Sequence, residues 1–202
     1  SGLSSVEAED AFALSVVETT QLSATVVARE KARAVKKNGL LEICPTPGSL
    51  EDIGGLDSLK GWLNQRCSAF GSAAAEYGLP SPKGLMIIGI PGTGKSLTAK
   101  ATAGVFQLPL LKLDAGRLYG SLVGQSESNL RLAIQTVEAI APCVLWIDEI
   151  EKAFSGSKSS GATDGGTASR VFGTFLSWMQ DKTAPVFVVA TANDVSQLPP
   201  EL

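Results

Sequence analysis

The segment Gly89-Ile90-Pro91-Gly92-Thr93-Gly94-Lys95-Ser96 constrains this chain more than any other, because it matches the spacing G-x-x-x-x-G-K-[ST] with fitting flanks. Before it, Leu85-Met86-Ile87-Ile88 reads as a buried strand; after it, Leu97 to Ala103 supplies helix formers. Gly89, Gly92 and Gly94 admit backbone conformations closed to other residues, so successive N–H groups can converge on a phosphate at a helix N-terminus. Lys95 is expected to reach the β and γ phosphates, and the Ser96 hydroxyl to ligate a bridging Mg²⁺. The pattern predicts a strand–loop–helix unit that binds a nucleoside triphosphate. The bland alternative, a glycine-rich turn that matches by chance, has to reproduce the motif and both flanks. Kinases, GTPases and ATPases share such loops, so the rest of the site decides among them.

The chain has 202 residues, which suits one α/β domain with a short extension. An apolar fraction of 44% and a net charge of -3 describe a globular protein without the basic footprint of a nucleic-acid binder. The local cluster Arg29, Lys31, Arg33, Lys36 and Lys37 falls near the end of an expected helix, where cations complement the helix dipole. The three cysteines, Cys44, Cys67 and Cys143, form no C-x-x-C pair, and the sequence contains no histidine, so zinc sites and histidine catalysis are not expected. Cys143 sits in an apolar run and reads as a small core residue in a reducing compartment. No apolar run approaches the roughly 20 residues needed to span a bilayer, and Ser1-Gly2-Leu3 lacks a secretory pattern. The expected compartment is the cytoplasm, or the stroma for a plastid protein.

Two helices are expected at the start. The first opens at Ser4 with Glu7 in a capping-box pattern, and the second runs from about Ser23 to Val35 with Asn38-Gly39 as its stop. Pro45-Thr46-Pro47-Gly48-Ser49 reads as the linker, which divides a helical extension, residues 1–45, from a nucleotide-binding unit, residues 46–202. Beyond it the periodicities alternate. Helical stretches are expected over 56–77, after the glycine loop, over 126–140 and around Val171 to Met179, with strands at 85–88, 108–113, 144–147 and 186–190. Such alternation predicts an α/β fold with a mostly parallel sheet covered on both faces. Ser155 to Thr167, nearly all small and polar, is expected to be a loop.

The run Val144-Leu145-Trp146-Ile147 ends in Asp148-Glu149, and a parallel sheet presents the C-terminal ends of its strands to the ligand. Asp148 is the natural Mg²⁺ partner, usually through water, and Glu149 can polarise the water that attacks the γ phosphate. A strand that merely ends in charge is the plainer reading. The last strand leads to Asn193, whose neutral amide can orient that water or sense the γ phosphate, although asparagine also commonly leaves a strand into a turn.

Together these residues resemble the AAA+ ATPases from about Ser49 to the C-terminus, a three-layer α/β/α P-loop fold. Asp52-Ile53-Gly54-Gly55-Leu56 is similar to the adenine-contacting entry, Gly89 to Ser96 to Walker A, Val144 to Glu149 to Walker B, and Asn193 to sensor 1. Gly-Thr-Gly-Lys-Ser-Leu-Thr-Ala-Lys, Ala-Pro-Cys-Val-Leu-Trp-Ile-Asp-Glu-Ile and Arg-Val-Phe-Gly-Thr-Phe-Leu-Ser-Trp-Met-Gln resemble the hypothetical chloroplast open reading frame AAA proteins of plastids and cyanobacteria, with bacterial and phage-borne relatives. The resemblance implies ATP or ADP contacts from Ile53, Gly54, Pro91, Gly92, Thr93, Gly94, Lys95, Ser96 and Leu97. It implies Mg²⁺ held by Ser96 and Asp148, and catalysis by Lys95, Glu149 and Asn193. It further implies a homo-oligomeric ring, commonly a hexamer, that remodels a protein partner, with residues 3–45 as a helical remnant of a longer polypeptide.

Two features depart from the family pattern. No arginine follows Arg170, so the arginine finger, second sensor, closing edge strand and helical lid are expected either to lie beyond Leu202 or to have been lost, and slow turnover is expected of this chain alone. The pore position reads Ser121-Leu122-Val123-Gly124-Gln125, with Leu122 where an aromatic residue is usual, which weakens peptide threading as the function. Two other functions compete with the remodelling ATPase: a small-molecule kinase, which lacks the expected lid arginines here, and a nucleotide-gated binding module that never completes hydrolysis. Arg170 either contacts a neighbour's nucleotide or faces solvent. Asp164 and Glu151 are given no catalytic role.

Overall fold

The computed structural model describes residues 5–19, 35, 39–44, 48–119, 124–154, 165–194, 196 and 198. In chain order its elements are helix α1 (Ser5–Thr19), strand β1 (Leu41–Cys44), helices α2 (Asp57–Arg66) and α3 (Ser72–Glu76), strand β2 (Gly84–Ile88), helix α4 (Lys95–Phe106), strand β3 (Leu110–Leu113), the short α5 (Ala115–Leu118), helix α6 (Gln125–Ile140), strand β4 (Cys143–Ile147), the short α7 (Ile150–Ala153), helix α8 (Gly165–Asp181) and strand β5 (Val186–Ala192).

The strands form one sheet in the order β1-β3-β4-β5-β2. Strands β3, β4, β5 and β2 pair in parallel, and β1 pairs antiparallel with β3 at the edge. Alternate residues of the central strands feed two cores, as a sheet buried on both faces requires. Val144 and Trp146 of β4 and Phe187 and Val189 of β5 face a core shared with α2 and α4, including Leu63, Ala99 and Phe106. Leu145, Ile147, Val188 and Ala190 face the opposite core with Leu130, Val137, Val171 and Phe175 of α6 and α8. The α/β/α fold expected of the alternating pattern is the one observed.

Residues 41–44 correct the expected helical extension. They form β1, whose Leu41 pairs with Leu113 and Cys44 with Leu110, so the sheet recruits residues from before the proline-rich linker. Four residues are too few to display a two-residue period against the preceding helical pattern, and the pairing is a tertiary event. Three smaller differences follow similar causes. The span 56–77 is interrupted by a 3-10 turn at Cys67–Phe70 and by Gly71, which separates α2 from α3. Residues 165–167, expected in the small-residue loop, open α8 instead, and β5 continues through Thr191 and Ala192. The expected second N-terminal helix (apart from Val35), residues 155–164 of the small-residue loop with Asp164, and Leu122 lie outside the described residues.

The β2–β5 seam sets where the glycine loop begins, and it tolerates no side chain at Gly84: a Cβ there would meet the Val188 carbonyl oxygen at 2.3 Å. Gly84→Ala is expected to destabilise the fold by at least about 1–3 kcal/mol, the usual range for overpacking. Urea unfolding measures this, and an unchanged midpoint would contradict the close packing of this seam.

Candidate active site at the C-terminal edge of the sheet

The glycine loop leaves β2 beside the end of β5, because the Gly89 N–H donates to the Ala192 carbonyl at 3.1 Å. Gly92 and Gly94 have φ of +86° and +85°, the left-handed region where a side chain is strained, and Gly94 precedes the first residue of α4. Thr93 Oγ1 donates to the Ile90 carbonyl at 2.8 Å and closes the turn. Lys95 Nζ donates to the carbonyls of Gly89 at 2.6 Å and Ile90 at 2.8 Å, so the ammonium sits within its own loop. Pro91, Gly92, Thr93, Gly94, Ser96 and Leu97 are exposed, and Lys95 is half-buried. This is a helix N-terminus with open backbone donors and a cation beside it, which suits an anion.

The expected adenine entry is anchored from two sides. Ser49 Oγ accepts the Glu51 N–H and the Ser49 N–H donates to Asp52 Oδ2, a capping box over the turn Leu50–Asp52. Lys60 Nζ donates to the Ile53 carbonyl at 2.6 Å, and the Gly48 N–H donates to the Lys100 carbonyl on α4 at 3.1 Å. Ile53 is buried, Gly54 is exposed, and the segment lies against the helix that follows the glycine loop.

Asp148, Glu149 and Asn193 meet at the tips of β4 and β5. Thr191, fully buried, donates its hydroxyl to Asp148 Oδ1 at 2.7 Å and accepts the Glu149 N–H at 3.0 Å. Asn193 Nδ2 donates to Glu149 Oε1 at 2.9 Å, while Lys152 pairs with Glu149 Oε2 at 2.7 Å. These two hydrogen bonds, that from Lys152 first, hold the Glu149 carboxyl below the ordinary glutamate range. Glu149 has φ of +49°, an uncommon conformation for a non-glycine residue and one that concentrates at functional sites. β5 lies between β2 and β4, so the tips bearing the glycine loop and the carboxylates are two strand spacings, roughly 10 Å, apart.

Four residues of this network carry no role in the sequence reading. Thr191 looks like one more β-branched strand residue. Glu151 is buried, its Oε1 accepts the Asn193 N–H at 2.9 Å, and its buried Oε2 has no hydrogen-bond partner among the described residues. Lys112 pairs with Asp148 Oδ2 at 3.2 Å, and Lys152 pairs with Glu149. Only Glu151, two residues past an Asp-Glu pair, leaves a trace in the sequence. Arg170 is exposed and pairs with Glu127 at 2.7 Å, joining the second turn of α8 to the first turn of α6.

The donor set fits a magnesium-bound nucleotide. Ser96 and Asp148 offer hard oxygens, the donor type that Mg²⁺ takes.

Comparison with known proteins agrees with this architecture. The family described as ATPase family associated with various cellular activities (AAA) matches residues 85–202, more than half of the chain. The chain belongs to that AAA family of ATPases. It is 53% identical over 180 residues to the AAA domain-containing protein ycf46 of Guillardia theta, itself uncharacterized, covering 89% of this chain and 35% of that protein. The ycf46 protein of Pyropia yezoensis is 54% identical over 180 residues (89% and 36%), and that of Gracilaria tenuistipitata var. liui is 49% identical over 188 residues (91% and 38%). The chain thus spans little more than a third of the length of these algal relatives. No described helix is long and apolar enough to cross a membrane.

Two outcomes test the network. Thr191→Val removes the bridging hydroxyl at nearly constant volume and is expected to destabilise by about 0.5–1.5 kcal/mol, the net worth of hydrogen bonds whose partners, Asp148 and the Glu149 N–H, are half-buried; an unchanged urea midpoint would contradict the bridge. Lys152→Met should raise the Glu149 pKa toward the ordinary glutamate value in a carboxyl-detected NMR titration. The sign follows from the lowered folded-state value: the stabilising contribution is present above the unfolded pKa and is lost as pH falls through the folded one. It stays small because Glu149 is solvent-screened.

Proposed function

We propose that this chain binds Mg·ATP at the glycine loop and hydrolyses it with the carboxylates and amide at the tips of β4 and β5. The observation that carries the reading is the joining of two half-sites at one sheet edge. Gly89 is hydrogen-bonded to Ala192, and the next residue, Asn193, is hydrogen-bonded to Glu149. AAA family membership supports ATP-dependent activity in general.

In this reading the N–H groups around Gly92 and Gly94 bind phosphate oxygens, and Lys95 exchanges its loop carbonyls for the β and γ phosphates. Ile53 and Gly54 border the base, while Pro91, Thr93 and Leu97 complete the exposed rim around it. Ser96 and Asp148 hold Mg²⁺, which when bound neutralises charge developing on the phosphates. Thr191 orients Asp148. Glu149, kept ionised by Lys152 and Asn193, accepts a proton from water, and the Asn193 amide positions that water.

We further infer a homo-oligomeric ring that remodels a protein partner, with neighbouring subunits completing each site, so that a lone subunit turns over slowly. Its support is the habit of the family. The proposed compartment is the cytoplasm or the plastid stroma, and the algal relatives favour the latter. One observation favours a second reading, a nucleotide-gated module without completed hydrolysis: both Glu149 oxygens are engaged, by Lys152 and Asn193.

Lys95→Ala is expected to abolish ATP binding in calorimetric titration, and undiminished affinity would remove its assigned role. Glu149→Gln is expected to bind ATP normally and retain it unhydrolysed, read as the nucleotide recovered from the purified complex. Wild-type phosphate release by that variant would take the base away from Glu149.

A further inference from the structure

Lys112 is the outlying cation of the site, and its placement is specific. It lies on β3 in register with Trp146 of β4, and its ammonium sits 4.4 Å from the Trp146 ring centroid while pairing with Asp148 Oδ2 at 3.2 Å. Both groups are about one-third exposed, on the wall of a cleft of about 520 Å³ that also includes Asp114 and Glu149 but not the glycine loop. Two strands, β4 and β5, separate Lys112 from β2, so it stands on the far side of Asp148 from the loop that takes phosphate in our reading.

Both oxygens of Asp148 therefore have partners, Thr191 on Oδ1 and Lys112 on Oδ2. The two partners differ in kind. Thr191 is neutral, so it orients the carboxylate without cancelling its charge. Lys112 brings a full positive charge to the group that must attract a divalent cation. A carboxylate has about four acceptor positions, so a metal-bound water can still be accepted, but against the ammonium's repulsion.

We infer that Lys112 is a positioning residue that competes electrostatically with the divalent cation for Asp148, and so sets how much free Mg²⁺ the site requires. The inference rests on the nucleotide-binding reading and adds to it a metal-concentration threshold built into β3. Its ammonium faces both the Trp146 ring and Asp148, so Lys112→Met, which keeps most of the stem, removes the charge from Asp148, and Lys112→Arg keeps it.

The test compares wild type, Lys112→Met and Lys112→Arg by titrating free Mg²⁺ at fixed fluorescent ATP analogue, with affinity in EDTA as the reference and thermal melting as the check on folding. Lys112→Met should lower the Mg²⁺ concentration at half-effect by roughly two- to fivefold, the scale of a partly exposed ion pair, and leave the EDTA affinity unchanged. Lys112→Arg should keep the wild-type threshold. An unchanged or raised threshold in a folded Lys112→Met chain overturns the inference, the raised one showing that Lys112 instead helps Asp148 take metal. A parallel loss of EDTA affinity also overturns it, as that marks a direct phosphate contact. If wild type binds no nucleotide, the parent reading fails and this inference with it; if wild type binds and only the threshold is insensitive, this inference alone fails.

Discussion

A single buried hydroxyl organises the edge of the sheet on which the site is built. Thr191 donates to Asp148 and accepts from the Glu149 backbone, so it fixes the side chain of one acid and the main chain of the next. Buried hydroxyls are stable only when satisfied, and this one uses both its donor and an acceptor position across the β4–β5 boundary. The effect reaches further because Glu149 leaves β4 in a left-handed conformation and opens the short helix α7. That turn buries Glu151, which returns to grip the Asn193 N–H. The tips of β4 and β5 are thus crossed by hydrogen bonds in both directions, and the glycine loop is tied to the same corner through Gly89 and Ala192.

Charge at this corner is arranged in opposed pairs. Lys112 faces Asp148 and Lys152 faces Glu149, while Asn193 adds an amide that carries no net charge. Glu151 stands apart, buried, with Oε2 lacking a hydrogen-bond partner among the described residues. A buried acceptor without a partner is costly, and such groups persist where a site needs them. Lys95 has a similar character, since its ammonium rests on two carbonyls of its own loop, partners that an incoming anion can replace.

Much of this was legible in the sequence wherever chemistry and periodicity coincide. The glycine loop declares itself by spacing, and its strand and helix lie where the flanks require. Val144 to Ile147 is an apolar run ending in two acids, so β4 and its carboxylates could be read together. The partners of those acids were not legible. Lys112 lies 36 residues before Asp148, and Thr191 lies 43 after it; their meeting depends on strand order, which local pattern does not encode. The same limit hid β1, whose four residues acquire meaning only against β3. Nor was the burial of Glu151 legible, because glutamate is ordinarily solvent-facing, whereas the turn at Glu149 draws this one inside.

The central claim is that the two half-sites at the sheet edge act as one nucleotide site. It is tested most directly by calorimetric titration of the purified chain with ATP and ADP in the presence of Mg²⁺, with phosphate release followed in parallel over protein concentration. The account predicts saturable binding of both nucleotides at one site per chain, with slow phosphate release that rises with protein concentration as subunits complete one another. Absence of heat or saturation with either nucleotide, in a chain that melts cooperatively, would contradict it.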